Sequence, residues 1–316
     1  MSADQIEVVC AGILVADIFV PPLARLPGAG ELMATDDFWI DSGGCAANTA
    51  TSLLKLDVPT LVVGKVGRDN FGDFVEHDLA AKGVHTEGIS RSEAAGTSKT
   101  VILPVKGEDR RYIHTFGANA DFRVSDIPRE MVRRARVFYV GGYLVLPGFE
   151  PEALRDLLAF ARHSGALTVL DVVVPQGVND LSALEAVLPY VDFFTPNDHE
   201  ALLLTGERDP QRQAERLLKT GCRTVIITQG ERGVLLMNAD ETLSMPAFPF
   251  VMVDGSGAGD AFSAGLIAGL LENWTMSACL RFASAIGGSA CTRLGCTTGV
   301  FTRREAETYL RAHPTA

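Results

Sequence analysis

The chain has 316 residues, enough for two domains at most or for one large α/β body. Its 28 Lys and Arg against 39 Asp and Glu give a net charge of −11, which argues against a phosphate-rich polymer as partner. Small anions stay open, because backbone N–H groups bind them without basic side chains.

In chain order, apolar runs of strand length fall at 8–14, 61–63, 137–140, 168–172, 193–195, 224–228 and 234–237. Segments of helical period lie between and after them, at 46–56, 71–81, 151–163, 181–188, 210–219, 258–271 and 276–293. Strands that alternate with helices of ten or more residues predict a mostly parallel sheet covered on both faces. Residues 32–41 and 97–116 break the rhythm. Thr100, Ile102, Tyr112, His114 and Phe116 include period-two sets, and a polar turn over 106–109 separates them, which predicts a hairpin standing off the main sheet. One domain over 1–316 is expected, with lid strands inserted at about 15–42 and 97–118. The longest apolar runs, 137–149 and 265–271, are too short to span a membrane. Residues 1–7 are polar and acidic, unlike a signal peptide, and a cytoplasmic protein without membrane partners is expected. Cys10, Cys45, Cys222, Cys279, Cys291 and Cys296 form no CxxC pair and read as reduced core thiols.

The most informative stretch is Asp254-Gly255-Ser256-Gly257-Ala258-Gly259-Asp260, which runs straight into a helix. The first N–H groups of a helix lack internal partners, and small residues let an anion approach them along the helix dipole. Asp260 in the first turn could take a proton from a hydroxyl that attacks a phosphoryl group. A tight turn with a capping carboxylate is the other reading. Ser42-Gly43-Gly44-Cys45-Ala46-Ala47-Asn48 opens a second helix, and Asn48 could recognise a hydroxyl or cap the helix. Asp17 follows the first strand, where open α/β sheets bind ligands. Asn197-Asp198-His199-Glu200 follows a strand; one carboxylate there suits Mg2+, or the pair is a helix cap, with His199 a surface residue. Thr228-Gln229-Gly230-Glu231-Arg232-Gly233 joins two strands as a turn or a nucleotide-cleft wall. A Walker loop, a GxGxxG after the first strand and a GxSxG elbow are all absent from the sequence.

Taken in order, these segments resemble the ribokinase-like (PfkB) family of carbohydrate kinases. Residues 43–56 resemble its first signature and Asp254–Asp260 its second. Gly64-Lys65-Val66-Gly67-Arg68-Asp69, Gly107-Glu108-Asp109-Arg110, Gly117-Ala118-Asn119 and Asn197-x-x-Glu200 fit the segments between. The resemblance implies a ribokinase-like α/β body with a small β lid, and transfer of the ATP γ-phosphoryl group to a primary alcohol. It implies Asp260 as base, with the N–H groups of Gly257, Ala258 and Gly259 as anion hole. Asp17, Gly43, Gly44 and Asn48 would bind the substrate. Asn197, Thr228, Gly230, Gly233 and Ser284 would bind ATP, and Glu200 would act on Mg2+ through water. Asp254, with carbonyls near Ser256, Ala290, Arg293 and Gly295, would hold K+.

Four positions depart from the family pattern. Gly255 replaces the usual Thr. Ser284 stands where ribokinases carry Asn. Gly141-Gly142-Tyr143-Leu144 lacks the Glu that ribokinases bring to the sugar. Gly299 stands where a serine often completes the cation site. The expected acceptor is a sugar or sugar derivative. The alternative is a nucleoside, stacked on Phe38, Trp39, Tyr112 or Phe116. A catalytically silent sensor is the third reading, opposed by the intact Asp260, Asn197 and Glu200. The open edge of the lid predicts a homodimer.

Overall fold

A computed structural model describes residues 6–106, 111–175, 177–178 and 181–314. The Gly107-Glu108-Asp109-Arg110 motif lies outside the described residues.

The first half of the chain contributes β1 (Val8–Gly12), β2 (Val15–Phe19), β3 (Trp39–Gly43), α1 (Cys45–Lys55), β4 (Thr60–Gly67), α2 (Asn70–Ala81) and β5 (His85–Ser92). Next come β6 (Lys99–Leu103), β7 (Arg111–Thr115), α3 (Arg129–Arg134), β8 (Val137–Gly141), α4 (Pro151–His163) and β9 (Leu167–Leu170). The remainder contributes α5 (Ser182–Glu185), β10 (Phe193–Phe194), α6 (Asp198–Thr205), α7 (Pro210–Leu218), β11 (Thr224–Thr228), β12 (Val234–Asn238) and β13 (Thr242–Met245). Three helices close the chain: α8 (Ala258–Leu271), α9 (Met276–Ala290) and α10 (Arg303–Ala312).

Nine strands form the main sheet in the order β13-β12-β11-β10-β9-β8-β1-β4-β5. Pairing is parallel from β11 through to β5 and antiparallel only at the β11-β12-β13 end. Alternate residues of β1 enter opposite cores: Val8 and Cys10 pack on the side of α1, α2, α8 and α9. Val9 and Ala11 pack on the side of α3, α4, α6 and α7. Burial on both faces is why these strands read as continuous apolar runs rather than alternating ones. The expected mostly parallel sheet, helix-covered on both faces and carrying a small β lid, is therefore present. The lid is a four-stranded sheet in the order β3-β2-β6-β7.

Three of the differences from the sequence reading have a clear physical reason. The run over 8–14 is cut after Gly12, and a new strand begins at Val15 in the other sheet. The side chain of Asn119 pins this break, accepting from Leu14 N at 3.1 Å and donating to Leu14 O at 2.9 Å. The helix expected over 181–188 is only one turn, α5, followed by a 3-10 turn at Leu188–Tyr190, where Pro189 cannot continue an α-helix. Edge strands β5 and β13 are absent from the sequence reading; their part-exposed, largely polar residues carry little apolar signal. The six cysteines form no disulfide; five are buried as expected, while Cys291 is half-buried.

Candidate active site

The body strands end their carboxyl termini under the lid, and side chains from α1, β2, α6 and α8 meet there. At α8 the cap residue Gly257 has φ +73, a left-handed conformation, and a Cβ on it would lie 2.2 Å from Cys296 O. Both facts demand glycine. A Cβ on Gly259 would have nothing within 4 Å, so its face of the first turn is open. Ala261 N is the donor that returns to Gly257 O at 2.8 Å, and Ala258 N has a long contact of 3.4 Å to Gly255 O. The front of a 14-residue helix thus presents N–H groups to the open cleft.

Asp260 sits in that first turn. Asn48 Nδ2 of α1 donates to Asp260 Oδ2 at 2.8 Å, while Asn48 Oδ1 is buried without a partner. Burial lifts the Asp260 carboxyl to about 6, and Asp17 adds to the lift; hydrogen bonds from Asn48 and Cys45 oppose it. Asp17, on β2, is 7% exposed and is lifted to about 6, chiefly by desolvation. Thr100 stabilises its ionised form, Asp41 opposes it, and Cys296 Sγ lies 3.8 Å from its Oδ2. Gly43 is buried against this carboxylate: a Cβ there would meet Asp17 Oδ2 at 1.9 Å. Gly44, at φ +92, turns the chain into α1 against Ile13 O. The paired glycines therefore seat Asp17 and launch Asn48.

Asn197 and Glu200 form the capping box of α6: Asn197 Oδ1 accepts from Glu200 N at 2.8 Å, and Glu200 Oε2 accepts from Asn197 N at 2.9 Å. The structural reading of this pair is realised. The same box leaves Glu200 beside the site, its carboxyl lifted to about 7 by burial and by Asp260. Asn197 also bridges to Thr228 in the neighbouring strand. His199 is exposed.

Thr228, Gly230, Gly233 and Ser284 line one cavity, together with Phe248, Phe250, Met252 and Phe262; it encloses about 800 Å³ including its mouth. It ends at Ala258 and Gly259, so it leads to the N-terminus of α8. Its walls are largely apolar, and Gly288 admits the Phe250 ring, which a Cβ there would strike at 2.3 Å. Below the same helix, Asp254 is 2% exposed; its two oxygens accept from Ser256 N at 2.9 Å and Gly295 N at 3.0 Å. Ala290 is buried near the same turn, and Arg293 is exposed. Gly299 lies against the carbonyls of Ser289 and Ala290, 2.6 and 2.8 Å from its Cβ direction, so a serine does not fit without a shift.

The sequence reading missed Asp171, directly after β9. It is 9% exposed, and burial with Glu200 and Asp260 pushes its carboxyl well above the ordinary range. Its signal in the sequence was only an acidic residue ending an apolar strand. Of the aromatics considered for stacking a base, Trp39 is spent on Phe19, with ring centroids 5.2 Å apart. Phe38, Tyr112 and Phe116 are exposed.

Comparison with known proteins gives three kinds of match. The model of the pfkB family carbohydrate kinases matches residues 5–303. The ribokinase of Bacillus subtilis is 28% identical over 296 residues, which cover 90% of this chain and 93% of that protein. Fructokinase-2 of rice (Oryza sativa subsp. japonica) is 27% identical, covering 93% and 90%. A candidate ribokinase II from E. coli, solved with ATP and Mg2+, superposes with a TM-score of 0.85 at 24% identity, covering 98% of this chain and 100% of that one.

Proposed function

This chain belongs to the pfkB family of carbohydrate kinases, and from that premise we propose that it transfers the γ-phosphoryl group of MgATP to a primary hydroxyl of a sugar, with Asp260 as the base. The observation that carries the reading is Asp260 itself. It is a carboxylate in the first turn of α8, hydrogen-bonded by Asn48, with a carboxyl lifted to about 6, where the largely apolar cavity ends.

Asp260 accepts the proton of the attacking hydroxyl; the hydroxyl oxygen forms the new bond to phosphorus, and ADP leaves with the electrons of the broken bond. The N–H groups of Gly257, Ala258 and Gly259 stabilise charge on the moving phosphoryl group, so positioning and fixed dipoles supply most of the acceleration. Asp17 and Asn48 orient sugar hydroxyls, with Gly43 leaving room for the Asp17 carboxylate and Gly44 turning the chain into α1. Thr228, Gly230, Gly233 and Ser284 hold the nucleotide, and Asn197 braces Thr228. The residues fit Mg2+: Glu200, with Asp171 beside it, gives hard oxygen donors whose mutual repulsion a divalent cation relieves. Bound there, Mg2+ would neutralise phosphate charge. Asp254 and the carbonyls of Ser256, Ala290, Arg293 and Gly295 would hold K+. Asp254 is a buried carboxylate, and the Ala290 carbonyl is directed toward Gly299.

The relatives named ribokinase and fructokinase support a sugar acceptor. The engagement of Trp39 with Phe19 weighs against a nucleoside base under the lid. Ile40 and Ile113, aligned on one lid face through Ile18 and Val101, are exposed, and we take this face as the contact of a homodimer. Chromatography giving a monomer would remove that part. The whole is read as one domain carrying its lid, and no helix among the described residues is long and apolar enough to cross a membrane. The test is ADP release with MgATP against ketoses, aldoses, sugar acids, polyols and nucleosides, with and without K+. A strong hit that Asp260→Asn abolishes supports the reading; a nucleoside hit alone replaces the acceptor class.

A further inference from the structure

Cys45, Asp171 and Asp260 come from three separate elements: the first residue of α1, the residue after β9 and the first turn of α8. One ligand atom from each lies within 4.8 Å of the other two. The cluster opens to the cleft through Asp260, which is part-exposed, whereas Cys45 and Asp171 are each 9% exposed. Two buried polar groups beside the cluster lack a hydrogen-bond partner. The hydroxyl of Tyr139, which is fully buried, has no partner in strict hydrogen-bond geometry, and Thr49 is the neighbour that favours its ionised form. Asn48 Oδ1, 4% exposed as a residue, is likewise unpartnered, although its amide nitrogen holds Asp260. Gly141 lets Cys45 and Tyr139 pack against its backbone side by side: a Cβ there would sit 2.7 Å from Cys45 Cβ and 2.9 Å from the Tyr139 hydroxyl. Buried polar atoms of this kind normally find a partner.

A thiol between two carboxylates is a poor Mg2+ site, because Mg2+ demands hard oxygen ligands and octahedral geometry. It is a good site for a soft, tetrahedral cation. Zn2+ takes thiolate and carboxylate oxygen together, with tetrahedral ligand separations of about 3.5 Å, within small side-chain adjustments of this cluster. We propose that Cys45, Asp171 and Asp260 form a Zn2+ site inside the cleft, and that the ion bound there arrests phosphoryl transfer by occupying the carboxylate of Asp260. On binding, the Cys45 S–H proton and any proton held on the two raised carboxyls are released to solvent, the thiolate and two carboxylate oxygens donate to the metal, and water completes the shell. No electron moves, and chelation reverses the step. The arrest rests on Asp260 being the base; the binding does not.

The experiment titrates Zn2+ against the full chain with a competing chelator dye. Co2+ is used in parallel, because cobalt–thiolate absorption reports the sulfur ligand without any assay of turnover. One strong site per chain and a cobalt–thiolate band are expected. Cys45→Ala should abolish the band and weaken Zn2+ by at least the 10–100-fold that loss of even an outer-shell partner costs. Asp171→Asn should weaken it comparably, and Cys296→Ala should leave the site intact. Undiminished Zn2+ affinity in Cys45→Ala, or no cobalt–thiolate band in a wild-type protein that binds Co2+, would overturn the site. In turnover assays with excess Mg2+, each variant is compared with itself with and without Zn2+. Inhibition of the wild type that chelator reverses and that Cys45→Ala lacks supports the arrest. Tight binding with unchanged turnover leaves the site standing and overturns the arrest, and with it points to a base other than Asp260.

Discussion

The two halves of the cleft are built from opposite materials. The half next to β11, β12 and α9 is shaped by Phe248, Phe250, Phe262 and by glycines at 230, 233, 287 and 288. The half under the lid gathers Asp17, Asp171, Glu200 and Asp260, every one with its carboxyl pushed above the ordinary range by burial. The first half works by fit, which costs little and tolerates chemistry of similar shape. The second keeps charges where solvent would rather they were not, a cost that makes sense only where substrate, metal or proton transfer uses them. Substitutions in the two halves should therefore fail in different kinetic parameters and with different pH dependence.

The largest effect is expected at the centre of the charged half. Asp260→Asn keeps the shape and the Asn48 contact geometry but removes the proton acceptor, so kcat should fall about 10²–10⁴-fold. Calorimetry should find MgATP affinity little changed, because the apolar half is untouched. Retention of near-native kcat would show that the hydroxyl loses its proton elsewhere.

Next in size is a pH effect on the acceptor KM, beside the fall in kcat as Asp260 takes up its proton at about 6. Asp17 stays ionised only above about 6, so as pH falls below that value its hydrogen-bond acceptance is lost and the acceptor KM should rise about tenfold per unit if one ionisation governs it. Glu200, lifted to about 7, would add its own rise in ATP KM at the higher pH, so the two inflections should fall apart. In Asp17→Asn the acceptor KM should be high and level with pH; a profile that keeps the wild-type inflection would transfer the titration to another group.

In the apolar half, Gly288→Ala places a Cβ 2.3 Å from the Phe250 ring, and the ring must move into the cavity. The expected result is a several-fold rise in ATP KM with the acceptor KM unchanged. An equal rise in both would mean that the halves are mechanically joined through α8 and α9, and the contrast between them would fail.

How far the site could be read from sequence follows the same division. The glycine-led starts of α1 and α8 were legible because a left-handed φ or a close backbone approach leaves only glycine, as at Gly44 and Gly257. The Thr228–Gly233 turn was legible by its place between two strands and Ser284 only through the family resemblance, and the structure brings them into one cavity. Asp171 was not. It has no turn glycine beside it and lies 89 residues from Asp260; only the parallel register of β8, β9 and β10 brings it to the cleft. The function of Cys45 was hidden for a related reason. A lone cysteine in a small-residue helix start reads as core, and its carboxylate neighbours arrive from distant strands and helices. Gly43 was read as an opening for ligand, whereas its missing Cβ makes room for Asp17.

The smallest expected effect separates function from folding at a single residue. Because the folded-state carboxyl of Asp17 is raised from 3.8 to about 6, folding favours its protonated form. Its ionisation is thus unfavourable to the native state: stability is fully present at pH below the unfolded value of 3.8 and is lost as pH rises through about 6. Asn has the shape of the neutral acid and keeps an acceptor for Thr100, so Asp17→Asn should be more stable than wild type at pH 8. The gain should be on the order of 1–3 kcal/mol, seen as a few degrees in Tm without substrate. At pH 4 the two proteins should melt together. The same substitution weakens acceptor binding, so a charge that opposes folding would be the one the sugar requires. If Asp17→Asn instead melts lower at pH 8, the ionised carboxylate is stabilised in the free protein by Thr100 and its neighbours, and its place in the charged half would be structural before it is functional.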